Sequence, residues 1–182
     1  AQRTLAALRP FVARGVPVVG LEPSCLLTLR DEFVSLLPGD EARALANAAL
    51  LFEEFVAREA DAGRWQLALD ALPQRLAYLH GHCHQKAFGA MPAIVRTLRL
   101  VPGLEVKTIA SSCCGMAGTF GYEREHYEIS LAMAERSLLP AVREAPPDAL
   151  IVTDGVSCRH QIAAGARRDA LHVAQVLDRA HR

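Results

Sequence analysis

The sequence predicts an α/β fold, a layered sandwich around a mainly parallel sheet. Short apolar runs of strand type alternate with amphipathic helical stretches. Gly and Pro mark most of the transitions. The 182 residues are 51% hydrophobic, which is enough to bury a core.

Helical periodicity covers 2–14 and stops at Gly15. Val16-Pro17-Val18-Val19-Gly20-Leu21 reads as a short buried strand, with Pro17 marking an edge or a strand start. A helix from Cys25 toward Leu37 ends at Pro38-Gly39. Asp40 then caps a long helix to about Ala60, with Ala42, Leu45, Ala49, Phe52 and Val56 on one face. Gly63 closes it, and a shorter helix covers 65–72. A strand over 76–80 leads into the loop Gly81-His82-Cys83-His84, and Pro92 opens a helix to about Val101. A strand over 104–109 is followed by a Gly/Cys loop over 110–121 and a helix over 123–144, disturbed at Pro140. Pro146-Pro147-Asp148 turns the chain into a strand over 149–153, and the last helix covers 173–180.

Composition excludes several classes. No apolar run approaches the roughly 18 residues that cross a bilayer. The 20 basic residues balance 20 acidic ones, so no basic footprint exists for nucleic acid. The high apolar fraction at zero net charge excludes a disordered chain. The chain opens Ala1-Gln2-Arg3 with no Met and no signal-like segment, as expected of a trimmed start or a piece of a longer polypeptide.

Five cysteines, Cys25, Cys83, Cys113, Cys114 and Cys158, carry the chemistry. An odd number with an adjacent pair argues against a disulfide framework and for reduced cytosolic thiols that hold metal. Cys83, the Cys113-Cys114 pair and Cys158 each fall just beyond a predicted strand. In an open parallel sheet those strand ends share the edge where ligands collect. Four soft thiolates there select iron–sulfur or zinc over magnesium or calcium. Glycines 81, 115, 118, 121 and 155 let the backbone turn tightly and bring amide N–H groups near sulfur. Phe120 and Tyr122 read either as a shield for this site or as ordinary packing. Asp31-Glu32 and Glu53-Glu54 read as solvated helix faces.

One repeat is visible. Pro17-Val18-Val19-Gly20-Leu21-Glu22-Pro23-Ser24-Cys25 aligns without gaps on Leu150-Ile151-Val152-Thr153-Asp154-Gly155-Val156-Ser157-Cys158. Each copy runs from an apolar strand through a turn to a Ser-Cys that opens a helix.

Three segments carry a family resemblance. Gly81-His82-Cys83-His84, then Cys113-Cys114-Gly115-Met116-Ala117-Gly118-Thr119-Phe120, then Gly155-Val156-Ser157-Cys158-Arg159-His160-Gln161-Ile162 together resemble one CCG cysteine-rich domain. Glu22-Pro23-Ser24-Cys25 resembles the closing cysteine of a preceding copy. Such domains occur in the iron–sulfur subunits of glycolate oxidase and anaerobic glycerol-3-phosphate dehydrogenase, and in the heterodisulfide reductase B subunit. The likeness is greatest to the C-terminal iron–sulfur oxidoreductase region of FAD-linked oxidase fusion proteins.

The resemblance implies that 1–37 is the tail of a first CCG unit, 38–75 a helical connector and 76–182 a complete second unit. It implies a [4Fe–4S] cluster on Cys83, Cys113, Cys114 and Cys158, with His82, His84, Gly115 and His160 surrounding it. Cys25 belongs to an upstream second cluster or reaches this one as a fifth ligand. The family's terminal Cys-x-x-Cys is reduced here to Cys158, with Gly155 and Gln161 at the positions three away. Four thiolates suffice for a cubane cluster, whereas the non-cubane type uses five.

The implied role is electron transfer within an oxidoreductase that acts on a D-2-hydroxy acid of the glycolate, D-lactate or D-2-hydroxyglutarate class. The implied partners are an FAD-binding dehydrogenase domain or subunit, upstream ferredoxin-like and first CCG regions, and a quinone or other acceptor. The chain alone is expected to be inactive. It is expected to be cytoplasmic, or peripheral at the inner membrane face through its complex. Two alternatives stay open. His80, His82, His84, His126, His160 and His172 invite a thiolate zinc domain serving structure or docking, and Cys113-Cys114 invites a thiol–disulfide enzyme.

Overall fold

A computed structural model describes residues 1–181 and divides the chain into two compact units, Ala1–Arg64 and the part from Trp65 onward. The α/β expectation holds in both, because each is built on a parallel sheet.

In the first unit, α1 (Gln2–Val12) precedes β1 (Val18–Gly20), and short helices α2 (Pro23–Leu27) and α3 (Glu32–Leu36) follow. The predicted helix over 25–37 is thus two pieces. The long helix expected over 40–60 is also broken, into α4 (Asp40–Ala48), β2 (Ala49–Leu51) and α5 (Phe52–Asp61). Val18, Val19 and Gly20 pair in parallel with Ala49, Leu50 and Leu51, and this sheet pairing overrides the helical periodicity. Glu54 Oε2 accepts the Leu51 N–H at 2.9 Å and so starts α5 anew. Glu54 is also held by Arg30, which donates to Ala49 O at 2.8 Å. Glu53 is buried as well, so Glu53-Glu54 is not the solvated face that was expected, whereas Asp31 and Glu32 are exposed.

The second unit holds β3 (Leu76–Leu79), α6 (Cys83–Ala87), α7 (Met91–Leu98), β4 (Glu105–Thr108), α8 (Tyr127–Glu135), α9 (Leu138–Glu144), β5 (Leu150–Val152), α10 (Val156–Ala166) and α11 (Val173–Ala180). Its parallel sheet has the order β4-β3-β5. The chain leaves β3 toward β4 on one side and returns to β5 on the other. The carboxyl ends of β3 and β5 therefore flank a topological switch point, where connecting loops part and a ligand can sit. Ala77, Leu79, Ile151 and Val152 are buried in the sheet, with Leu138, Val142 and Ile162 packed in the same core.

Two further expectations are corrected. No helix forms over 65–72; there Asp70 donates to Ala180 O at 2.7 Å and Leu69 bridges His181 in an extended segment. The helix expected over 123–144 is one 3₁₀ turn, Arg124–His126, followed by α8 and α9, with the break at Ser137. Pro140 lies in the first turn of α9, where no N–H is needed, so it is not the break. Among the described residues, no helix is long and apolar enough to cross a membrane.

Candidate metal centre

Three loops leave the carboxyl edge of the second unit's sheet. After β3, the His80 N–H continues the ladder by donating to Val152 O at 2.9 Å. His82 then caps α6. Its Nδ1 accepts from His84 N at 3.2 Å, and its own N–H donates to Gln85 Oε1 at 2.9 Å, which makes Cys83 the first residue of that helix. This short helix went unseen because five residues carry no periodicity.

After β4, Ile109 donates to Leu79 O at 2.8 Å, and the chain runs on to Cys113-Cys114. Gly115 reverses it there at φ +91°, so close to α8 that an added methyl would stand 2.1 Å from Ser130 O. After β5, Gly155 opens α10 and Cys158 is its third residue. A methyl on Gly155 would meet His82 Cδ2 at 2.5 Å and Cys158 Sγ at 3.2 Å, so this approach also requires glycine.

These loops bring four sulfurs together. Cys114 and Cys158, 44 residues apart in sequence, place their Sγ atoms 3.3 Å apart. Cys113 interacts electrostatically with Cys114 on one side and Cys83 on the other. Its Sγ also accepts the Gly115 N–H at 3.3 Å. Cys114 and Cys158 are buried, and Cys83 and Cys113 form a half-buried rim.

Protons are unevenly shared along this chain of sulfurs. Hydrogen bonds from Cys114 and Cys83 hold the Cys113 thiol far below its ordinary range, helped by the backbone N–H groups of Gly115 and Ala117. The hydrogen bond with Cys114 lowers Cys158 to about 5 against the opposing effect of burial, and the His80 imidazole adds to it. Cys83 is pushed up by its hydrogen bond with Cys113 and by burial. Cys114 is pushed up by its bonds with Cys113 and Cys158. The direction of the shift thus alternates along the row, down at Cys113 and Cys158 and up at Cys83 and Cys114.

The iron–sulfur reading of the sequence left two neighbours outside the site, His80, named there only among the histidines of the zinc alternative, and Lys86. An imidazole nitrogen of His80 and the sulfurs of Cys114 and Cys158 all lie within 4.8 Å of one another. Lys86 Nζ donates to Ser111 O at 2.5 Å and Ser112 O at 2.7 Å, tying α6 to the loop that carries the cysteine pair. Burial lowers its pKa, and the charge of all four cysteines opposes that shift. The histidine stands at the end of its strand and the lysine is one of only two in the chain, which are the signals that could have found them.

The residues expected around the sulfurs divide. His82 caps α6 and lies against Gly155, and Gly115 donates to Cys113. His84 sits edge-on to His82, with ring centroids 5.2 Å apart. His160 is exposed and its Nδ1 pairs with Tyr122 Oη at 2.6 Å, while Phe120 stacks on His126. Cys25, in the other unit, is exposed and is the third residue of α2 after β1, as Cys158 is of α10 after β5.

The donor chemistry fits a thiophilic metal. Four sulfurs with amide donors beside them are ligands of iron–sulfur clusters or zinc. In a tetrahedral zinc site with Zn–S of about 2.3 Å, sulfurs stand about 3.8 Å apart. One ion would therefore spread the Cys114–Cys158 pair by about half an ångström. A four-iron cluster, with one iron per thiolate, would spread the set further.

A parallel α/β sheet whose carboxyl edge gathers four cysteines from three loops defines this part of the chain as a cysteine-bearing α/β domain. No family model and no solved structure matches the chain. It is similar to the C subunit of the anaerobic glycerol-3-phosphate dehydrogenase of Escherichia coli, at 35% identity over 82% of this chain and 36% of that protein. It is also similar to D-2-hydroxyglutarate dehydrogenase of Escherichia coli, at 31% identity over 97% of this chain and 17% of that protein. The D-2-hydroxyglutarate dehydrogenase of Pseudomonas putida is 30% identical over 96% of this chain and 16% of its own length. The chain thus spans about a third or less of the curated relatives it matches, and these relatives are dehydrogenases by name.

Proposed function

We propose that this chain is the iron–sulfur electron-transfer region of an FAD-linked dehydrogenase, with Cys83, Cys113, Cys114 and Cys158 holding one [4Fe–4S] cluster. The observation that carries this reading is the meeting of four sulfurs at one sheet edge, in a chain whose relatives are dehydrogenases. Such a cluster supplies one-electron transfer. Cys113 and Cys158, whose thiols are shifted toward the thiolate, would supply negative charge to iron, and Cys83 and Cys114 would have to give up their protons to ligate it. The Gly115 N–H at Cys113 and the burial of Cys114 and Cys158 set the electrostatic environment.

The CCG resemblance gives the larger setting. The 1–37 segment is the tail of a first CCG unit, 38–75 a connector and 76–182 a complete second unit. The matching strand-to-helix placement of Cys25 and Cys158 supports this repeat, with Cys25 serving an upstream cluster. Likeness over 97% of this chain to a D-2-hydroxyglutarate dehydrogenase favours a D-2-hydroxy acid substrate. Electrons then pass from an FAD domain through this region to a quinone or other carrier, in the cytoplasm or at the inner membrane face.

Anaerobic reconstitution with iron and sulfide tests the metal. A broad visible absorbance that dithionite bleaches supports the reading. Retained stoichiometric zinc with no iron uptake supports a zinc domain instead, a reading favoured by the grouping of His80 with Cys114 and Cys158. Joining the chain to its flavin partner and following its bleaching by D-2-hydroxyglutarate, D-lactate, glycolate and glycerol 3-phosphate tests the substrate.

A further inference from the structure

His80 is almost fully buried, at 1% exposure, and its backbone is fixed by the bond from its N–H to Val152 O. A histidine buried only for packing would be satisfied at both ring nitrogens. Here Nδ1 lies 2.7 Å from Ser111 Oγ, whereas Nε2 is buried with no hydrogen-bond partner. The imidazole stands within 4.8 Å of the Cys114 and Cys158 sulfurs.

Ser111 selects the tautomer. Lys86 Nζ approaches Ser111 Oγ at 3.5 Å as a donor that cannot accept, and the nearby Ile109 carbonyl is a distant acceptor for the hydroxyl, also at 3.5 Å. The short 2.7 Å contact is therefore best made by the hydroxyl donating to Nδ1. That leaves the ring proton on Nε2.

We propose that His80 is the internal hydrogen-bond donor to the Cys114 and Cys158 sulfurs, held in the Nε2–H tautomer by Ser111, and that it raises the reduction potential of the centre those sulfurs bind. This inference rests on the metal-centre reading above. Reduction adds negative charge that is spread onto the ligand sulfurs, so a fixed donor favours the reduced form over the oxidised one. His80 is thus a positioning and tuning residue; the electron passes through the metal centre.

The test is the midpoint potential of the whole chain, reconstituted anaerobically, with iron counted per chain. His80→Leu removes the donor and is expected to lower the equilibrium constant for reduction about tenfold, about 59 mV for one electron, with the iron content kept. His80→Gln can place an amide N–H where Nε2–H stood, and is expected to restore most of the potential. Equal potentials in wild type and His80→Leu overturn the proposal while leaving the cluster reading intact. Loss of iron in His80→Leu and in His80→Gln makes His80 a ligand and likewise overturns it.

Should both His80 variants misfold, Ser111→Ala reads the same arrangement: a lowered potential supports it and an unchanged one ends it. Should the wild type bind cobalt(II) but no iron, the cluster reading fails on its own. The sulfur-to-cobalt charge-transfer band then reports the donor. A red shift in His80→Leu that His80→Gln reverses supports the proposal, and an unmoved band overturns it.

Discussion

Gln85 Nε2 donates to Asp154 Oδ2 at 2.7 Å, a buried bond that joins the helix opened by Cys83 to the loop leading into Cys158. Asp154 Oδ1 also accepts from Val173 N at 3.0 Å and lies 3.4 Å from His172 Nε2. One carboxylate therefore fixes the spacing of two sulfur-bearing loops and the start of α11. Removing it leaves several buried donors unpaired, at about 1–3 kcal/mol each. Asp154→Ala is expected to lower the urea midpoint and the iron bound per chain together. Gln85→Met leaves the carboxylate its other partners but also removes the acceptor of the His82 N–H, and is expected to cost about 1–3 kcal/mol for each of the two lost bonds.

Two glycines three residues apart separate shape from conformation. A methyl on Gly115 would stand 2.1 Å from a backbone oxygen of α8, whereas nothing lies within 4 Å of one on Gly118, at φ +69°. Gly118→Ala is expected to cost only the left-handed penalty of about 1–2 kcal/mol and to bind iron normally. Gly115→Ala is expected to displace the cysteine pair and to lose the metal, as counted by iron analysis and circular dichroism on both proteins.

The cysteines should differ in importance. Cys83→Ser removes one of four thiolates and is expected to abolish the cluster in this chain. Cys25→Ser, on the other unit, is expected to leave iron content and spectrum unchanged. Retention of a thiol–disulfide activity in Cys83→Ser would instead favour redox chemistry at the adjacent pair.

In the metal-free chain, pH acts through the thiolates. Cys158 falls from an ordinary 9.0 to about 5, so the stability it contributes is complete above about pH 9, shrinks as pH falls and is gone below about pH 5. Cys113 shifts in the same direction. Cys83 and Cys114, shifted up, stay protonated through that interval and oppose stability only when pH rises above the ordinary thiol range. The metal-free urea midpoint is expected to rise between about pH 5 and about pH 8. Iodoacetamide at about pH 6 is expected to label half-buried Cys113 well before Cys83, read by peptide mass spectrometry.

The parts of the fold legible in sequence were those set by local pattern. Strands 76–80, 104–109 and 149–153 and the last helix sit where periodicity and Pro or Gly signals put them, and their alternation gave the parallel sheet. The breaks were not legible. Ala49-Leu50-Leu51 lies on the face of a plausible long helix, and only the distant Val18–Gly20 strand turns it into β2. The cysteine loops could be read because glycine and sulfur are chemically distinctive. His80 could not, because its role depends on Ser111 and on two sulfurs far away in sequence.

The most direct measurement is the iron and acid-labile sulfide bound per chain after anaerobic reconstitution, in the wild type and in single Ser variants of Cys83, Cys113, Cys114 and Cys158. Four sulfurs gripping one [4Fe–4S] centre require about four of each per wild-type chain and a collapse in every variant. Full iron in any one of the four variants, or zinc with no iron in the wild type, would contradict it.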